Sequence, residues 1–476
     1  MRVSSTTLAL LAAGVLSLPA FGQSKADFDE MRQEIKRLRE ELNALKGQQK
    51  VVPAPAPSAA ASAEVIDRIE QLEIKQKDAV VLGDIGNSFR LPGSETSLRI
   101  YGFAELNGVK EFKGDNSGND YSTAVQYAPI NGSAQANRTG VAYLTARTSR
   151  IGLEASTPSA YGPVGIKIEG DFNNDPRTGN SAVNGSVDNI WTQAWTDSYN
   201  FRLRQAYGQF GGLLIGQTWS TFMDLDNSPE TVDFNGPIGS SFIRQPVVRY
   251  AYNTKDAGIF TVALENSVSY LLDSTGSTVT SAISRIPDVV ARWDKSFDWG
   301  ALSVRGISDE FAINDGAGIK LSRRGFGLGS TALVKMRDAK DYLSMAVTYG
   351  DGIGRYFNYI EGAAYDADSN QILLEKALGI VVGYQYKASD KLRANFVLGW
   401  QRNYDNAYTE FARANGLDSG QYGINRSAYQ GHVGFIYNPI KLVDFGAEYI
   451  FGQRETLSGE KGDLSRVNLS AKYYFN

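Results

Sequence analysis

Four arginines stand out by their neighbours. Arg202 and Arg204 alternate with Phe201 and Leu203, Arg150 precedes Ile151 and Leu153, and Arg249 lies between Val248 and Tyr250. Where apolar residues recur at every second position, the residues between them share the opposite face of a strand. The four guanidiniums therefore point away from the apolar side. Each presents paired donors that fit a carboxylate, so a group of them around one space could attract and pass small anions. A second charged set, Asp224, Asp226, Glu230 and Asp233, is interleaved with apolar residues in 220–244 (STFMDLDNSPETVDFNGPIGSSFIR). That mixture suits a loop folded inward against a wall, where its acids could pair with the arginines and blunt them.

Other chemistry is thin. The absence of cysteine removes disulfides, thiolate metal sites and cysteine nucleophiles. His432 is the single histidine, and a hydrolase would need a Ser or Asp partner beside it. Residues 115–120 (DNSGND) and 366–370 (DADSN) are rich in oxygen ligands but lack the spacing and terminal Glu of a calcium loop. Gly325, Gly327 and Gly329 alternate within a strand and no helix follows, which excludes a phosphate loop. Neither a cofactor nor catalysis is expected.

The elements that must position these residues have a period of two. Val467, Leu469, Ala471, Tyr473 and Phe475 alternate with Asn468, Ser470, Lys472 and Tyr474, and Leu392 to Trp400 repeats the pattern. The second face carries Arg, Asn, Gln, Glu and Gly, which suits a water-filled lumen better than a shared dry core. About sixteen such segments fill 97–476, among them 142–156, 200–210 and 213–219. Long connections at 112–141, 174–199, 220–244, 269–286, 310–322, 351–375, 405–426 and 454–463 alternate with short ones. The expectation is all-β: a transmembrane up-and-down antiparallel β-barrel of about sixteen strands in outer-membrane lipid. A barrel of that size encloses an aqueous channel. A guanidinium on its lipid face would cost ~2–4 kcal/mol near the midplane, so parity also sends Arg99, Lys167, Arg292, Arg305 and Arg393 inward. Glu105, Glu169, Asp171 and Asp294 follow them, which makes the lumen mixed, with a net basic constriction at Arg150, Arg202, Arg204 and Arg249.

What precedes the barrel differs in kind. Arg2 and the apolar stretch 8–18, followed by Ala20 and Gly22, read as a signal peptide over 1–22, cleaved before Gln23. Phe28, Met31, Ile35, Leu38, Leu42 and Leu45 form a heptad seam, so 23–50 is expected to be a periplasmic coiled coil that self-associates. Residues 51–63 (VVPAPAPSAAASA) are a Pro/Ala-rich linker, and 64–96 hold a short helical segment and the lead-in to the barrel. A formal net charge of −4 makes nucleic acid an unexpected partner.

Three stretches carry a resemblance. Residues 86–109 (GNSFRLPGSETSLRIYGFAELNGV), 148–172 (TSRIGLEASTPSAYGPVGIKIEGDF) and 200–239 resemble the DcaP-like trimeric outer-membrane porins. The segments GQTWSTFMDLD and ETVDFNGP are the more telling; SRIG occurs in other porins. The resemblance implies a sixteen-stranded homotrimeric diffusion channel in the bacterial outer membrane with a periplasmic coiled coil. It implies selection of small anionic solutes such as dicarboxylates, with the loop at 220–244 and Arg202, Arg204 and Arg249 in the pore. A general non-selective porin and a structural or adhesive barrel are the alternatives. One departure is the end, where Asn476 follows Phe475.

Overall fold

The computed structural model describes residues 81–114, 123–174, 200–357 and 362–475, together with Gln33, Lys36, Arg37, Arg39, Glu40 and Arg68. The seam residues Phe28, Met31, Ile35, Leu38, Leu42 and Leu45, the signal peptide, the linker and Asn476 lie outside them. Among the described residues sixteen antiparallel strands form a closed barrel. They are β1 Ser97–Lys113, β2 Arg150–Thr157, β3 Val164–Asn174, β4 Asn200–Phe210, β5 Leu213–Trp219, β6 Arg244–Thr254, β7 Gly258–Glu265 and β8 Asp288–Phe297. The second half is β9 Gly300–Asn314, β10 Lys320–Met336, β11 Asp341–Asp351, β12 Lys376–Lys387, β13 Leu392–Asn403, β14 Asn425–Ile440, β15 Val443–Thr456 and β16 Lys461–Phe475. Closure is made by β16 on β1, with Ser465 opposite Lys113 and, after one register shift, Arg466 opposite Glu111 through to Phe475 opposite Gly102. Every edge is thereby paired, as a barrel in lipid requires.

The alternation has its expected sense. Ile151, Phe201, Leu203, Val248, Tyr250 and Tyr252 are 44–60% exposed on the outer face. Near the short turns that face carries Phe210, Tyr252, Phe260, Trp299, Tyr437 and Tyr473, and towards the other end Phe172, Phe326, Tyr349 and Tyr429. Such aromatic belts mark the two membrane interfaces of an outer-membrane barrel. The inner face is polar and buried, with Glu105, Asp171, Arg305, Asn395, His432 and Arg466 all under 9% exposed.

Two expectations about elements need correction. The segment 142–156 is two strands, Ala142–Thr145 and β2, separated by a turn in which Ser149 donates to the Ala146 carbonyl. The connections expected at 310–322 and 454–463 are short, because β9 and β10 extend to Asn314 and from Lys320, and β15 and β16 to Thr456 and from Lys461. Hydrophilic residues there continue the ladder above the membrane, where both faces of a strand can be polar. The short helix expected around Val65, Ile69 and Leu72 lies outside the described residues; in the lead-in that follows, Val81–Leu82 pairs with Phe89–Arg90, and Arg90 binds Asp84 at 2.9 Å. This small unit comprises residues 81–99 with 155–158, and within it the Thr96 and Thr157 hydroxyls lie 2.8 Å apart.

The loop ends are folded. Asn406 caps the helix α1 (Ala407–Ala414) with a reciprocal Thr409 bond, and Tyr408, Phe411 and Ala412 fall on one buried side. That side packs with Leu272, Leu373, Ile424 and Leu457 from neighbouring connections. A hairpin of Ala363–Asp366 and Gln371–Leu374 contributes to the adjoining cluster around Phe311 and Ile313.

Candidate functional site

The connection from β5 to β6 does not leave the barrel. It lies along the inner wall, and lumen-facing glycines make the room. A side chain at Gly383 would collide with Pro229, at Gly399 with the Ile238 carbonyl, at Gly379 with that of Gly239, and at Gly446 with Val232. None of these four glycines has a left-handed backbone; close approach of the loop is what excludes a Cβ.

Acids of the loop fix it there. Glu230 takes two bonds from Arg393, at 2.7 and 2.8 Å, and one from Gln385 at 2.9 Å. Asp224 lies 3.4 Å from Arg292 and 3.5 Å from Arg305. Asp233 accepts from the Thr123 N–H at 2.7 Å and from Asn468 at 3.3 Å. Glu448 on β15 accepts the N–H groups of Val232 and Asp233 at 3.0 and 2.9 Å. His432 is buried beside it, its Nδ1 3.2 Å from Glu448 and its Nε2 2.9 Å from Gln430. Asp224 and Asp233 are each 4% exposed, whereas Asp226 is exposed and lines the cavity described next. The expectation that these acids pair with Arg150, Arg202, Arg204 and Arg249 is not met: Asp224 binds Arg292 and Arg305 on β8 and β9, Glu230 binds Arg393 on β13, and Asp233 binds Thr123 and Asn468.

Of those four arginines, Arg150, Arg204 and Arg249 line a lumen cavity of about 750 Å³, together with Lys167, Arg292 and Lys472 and the acids Glu105, Glu169, Asp226, Asp233 and Asp294. The counter-charges of the arginines come from the strand between them. Arg202 grips Asp171 through two bonds of 3.0 and 2.8 Å. Arg204 reaches Glu169 at 2.9 Å and Asp171 at 2.8 Å, and Arg150 lies 3.6 Å from Glu169. Tyr101 donates to Glu169 at 2.9 Å. Arg249 lines the cavity without an ion pair among the described residues. Arg204 owes its position to a β-bulge: Gln205 pairs with Glu169 and Leu203 with Gly170, which leaves Arg204 unpaired and turned inward. The apolar phase of β4 shows this, running Phe201, Leu203 and then Ala206, Phe210.

Aromatic rings lie against the guanidiniums. Phe234 from the inner loop sits under Arg202 and Arg204, at 5.7 and 5.6 Å from its centroid. Trp219 sits under Arg204 and Arg244, at 5.7 and 4.7 Å. Arg244 was not among the expected residues. It stands directly opposite Trp219 in the β5–β6 register, at the root of the loop, where parity counted from Arg249 gives the other face. The wall thus gathers five guanidiniums, Arg150, Arg202, Arg204, Arg244 and Arg249, against the two carboxylates Glu169 and Asp171. Such rings of arginine can bind carboxylates weakly and repeatedly, as conduction requires.

A family model described as DcaP outer membrane protein matches residues 87–475. The crystal structure of the outer membrane channel DcaP of Acinetobacter baumannii is 25% identical, covering 83% of this chain and 100% of that one at a TM-score of 0.66. The anion-selective porin from Comamonas acidovorans is 13% identical over 80% of this chain and 100% of its own, at a TM-score of 0.46. OmpT of Vibrio cholerae in its trimer form is 12% identical over 80% and 99%, at 0.47. A search of curated sequences gave no match.

Proposed function

The chain belongs to the DcaP outer membrane protein family, and from that premise we propose that it is a passive diffusion channel favouring small anions, dicarboxylates first. The supporting observation is the group of five guanidiniums around Glu169 and Asp171, with Asp224 and Glu230 of the inner loop held by Arg292, Arg305 and Arg393 and Asp226 left facing the cavity. A solute with two carboxylates can exchange one guanidinium partner for the next while remaining partly neutralised. The order of contacts keeps each weak enough to leave. In this reading the protein assembles as a homotrimer, residues 1–22 are removed on export, and the heptad seam bundles in the periplasm.

Planar-bilayer recording of the purified protein tests the proposal. Under a KCl gradient the reversal potential should lie on the chloride side, and succinate should reduce the chloride current in a concentration-dependent way. Replacing Arg202 and Arg204 together with Ala should move the potential towards potassium. A wild-type channel that already favours potassium would leave a general porin in its place.

A further inference from the structure

The mouth of the barrel at the long-loop end holds a second cavity, of about 670 Å³. Its size falls within the ~300–1,000 Å³ of small-molecule sites. Lumen-facing residues at the tops of β13 and β15, Gln401 and Arg454, contribute to its lining, with Gln126, Tyr127 and Tyr422 from the connections.

Its charges are engaged within the protein. The Arg454 guanidinium donates to the carbonyls of Ala128, Gln126 and Gln421, at 2.7, 3.1 and 2.7 Å. Glu375 accepts from the Gly362 N–H at 2.8 Å and from Asn403. What remains is neutral. Tyr127 and Tyr422 are 48% and 93% exposed and offer flat ring faces. Gln126 and Gln401 are 1% and 3% exposed. Neither side-chain atom of Gln126 has a hydrogen-bond partner among the described residues, and neither has Oε1 of Gln401.

A buried amide left unpaired is costly, so the cavity favours a group that both donates and accepts. A hydroxyl does both, whereas an ionised carboxylate only accepts. Tyrosine rings suit the apolar C–H face of a cyclic solute, with their polar tips left wet. We propose that this cavity binds an uncharged, hydroxyl-rich ring of mono- or disaccharide size. The site is separate from the arginine wall and does not depend on the anion reading.

Maltose is a direct probe. Added to the long-loop side of the full-length channel in a bilayer, it should lower the KCl current with saturation. Gln126→Met removes an amide that supports nothing in the protein, and Tyr422→Ala truncates an exposed ring, so both should keep heat-modifiable migration of the folded barrel. Each should weaken the maltose effect about tenfold, the loss of one good contact, while leaving the reversal potential unchanged. Arg202→Ala should leave the maltose effect as it is. A current that falls linearly with maltose, as viscosity alone produces, overturns the proposal. So does saturable block that survives both substitutions.

Discussion

Asp171→Asn isolates the electrostatic content of the arginine wall. The side chain keeps its shape, but one of the two carboxylates facing Arg150, Arg202, Arg204, Arg244 and Arg249 loses its charge. Asp171 is fully buried beneath Arg202 and Arg204, so little solvent intervenes on its own side. For an ion passing about 7 Å away, one unit charge at an effective dielectric of about 20 is worth about 2.4 kcal/mol. A Debye length of about 10 Å in 0.1 M salt roughly halves that, to about 1.2 kcal/mol. Anion entry should then gain about sevenfold and cation entry lose as much, because 1.4 kcal/mol is a factor of ten. The chloride-to-potassium permeability ratio from zero-current potentials should thus rise by more than an order of magnitude. At about 1 M salt, where the Debye length is about 3 Å, the gain should nearly vanish. Glu169→Gln should act in the same direction. Heat-modifiable migration would confirm that the barrel still forms, since a buried arginine loses its ionised partner. An unchanged ratio at low salt in a folded Asp171→Asn channel would refute the reasoning, because the wall would then be too hydrated for its net charge to matter.

Three further outcomes follow from the loops. Gly399→Val should push the inner loop off the wall through the Ile238 carbonyl, raising conductance and current noise; Gly208→Val, where a Cβ meets only the Gly165 carbonyl at 3.9 Å, should change neither. Asn406→Ala should loosen α1 by about 1 kcal/mol, read as faster hydrogen exchange over 407–414. Asp405 binds Arg413 across that helix, and the guanidinium holds its carboxyl below the ordinary 3.8. A depressed carboxyl contributes stability above its unfolded value and loses it as pH falls through the folded one. The protection of α1 relative to intrinsic exchange rates should therefore fall only below about pH 4, and slightly, because an exposed pair is worth a few tenths of a kcal/mol.

The barrel was legible because lipid enforces one rule on every strand. Phe201, Leu203, Val248 and Tyr250 had to face out, so Arg202, Arg204 and Arg249 had to face in. The rule says nothing about height or register, and the partners of the arginines depend on both. Glu169 and Asp171 were recognisable as inward acids on the neighbouring strand, yet a slip of two residues in β3 against β4 would have offered Lys167 instead. Loop acids could not be assigned either, since their partners lie 68 to 163 residues away along the chain, on Arg292 and Arg393. A usable signal was present in another form. An inward glycine contributes nothing to a lumen wall, so Gly379, Gly383, Gly399 and Gly446, gathered on β12, β13 and β15, mark where something must lie against it. The path of the inner loop is written in the strands that receive it more plainly than in the loop. That placement draws Glu230 to Arg393 on β13 and Asp224 to Arg292 and Arg305 on β8 and β9, so of the loop acids only Asp226 is left exposed beside Arg150, Arg204 and Arg249.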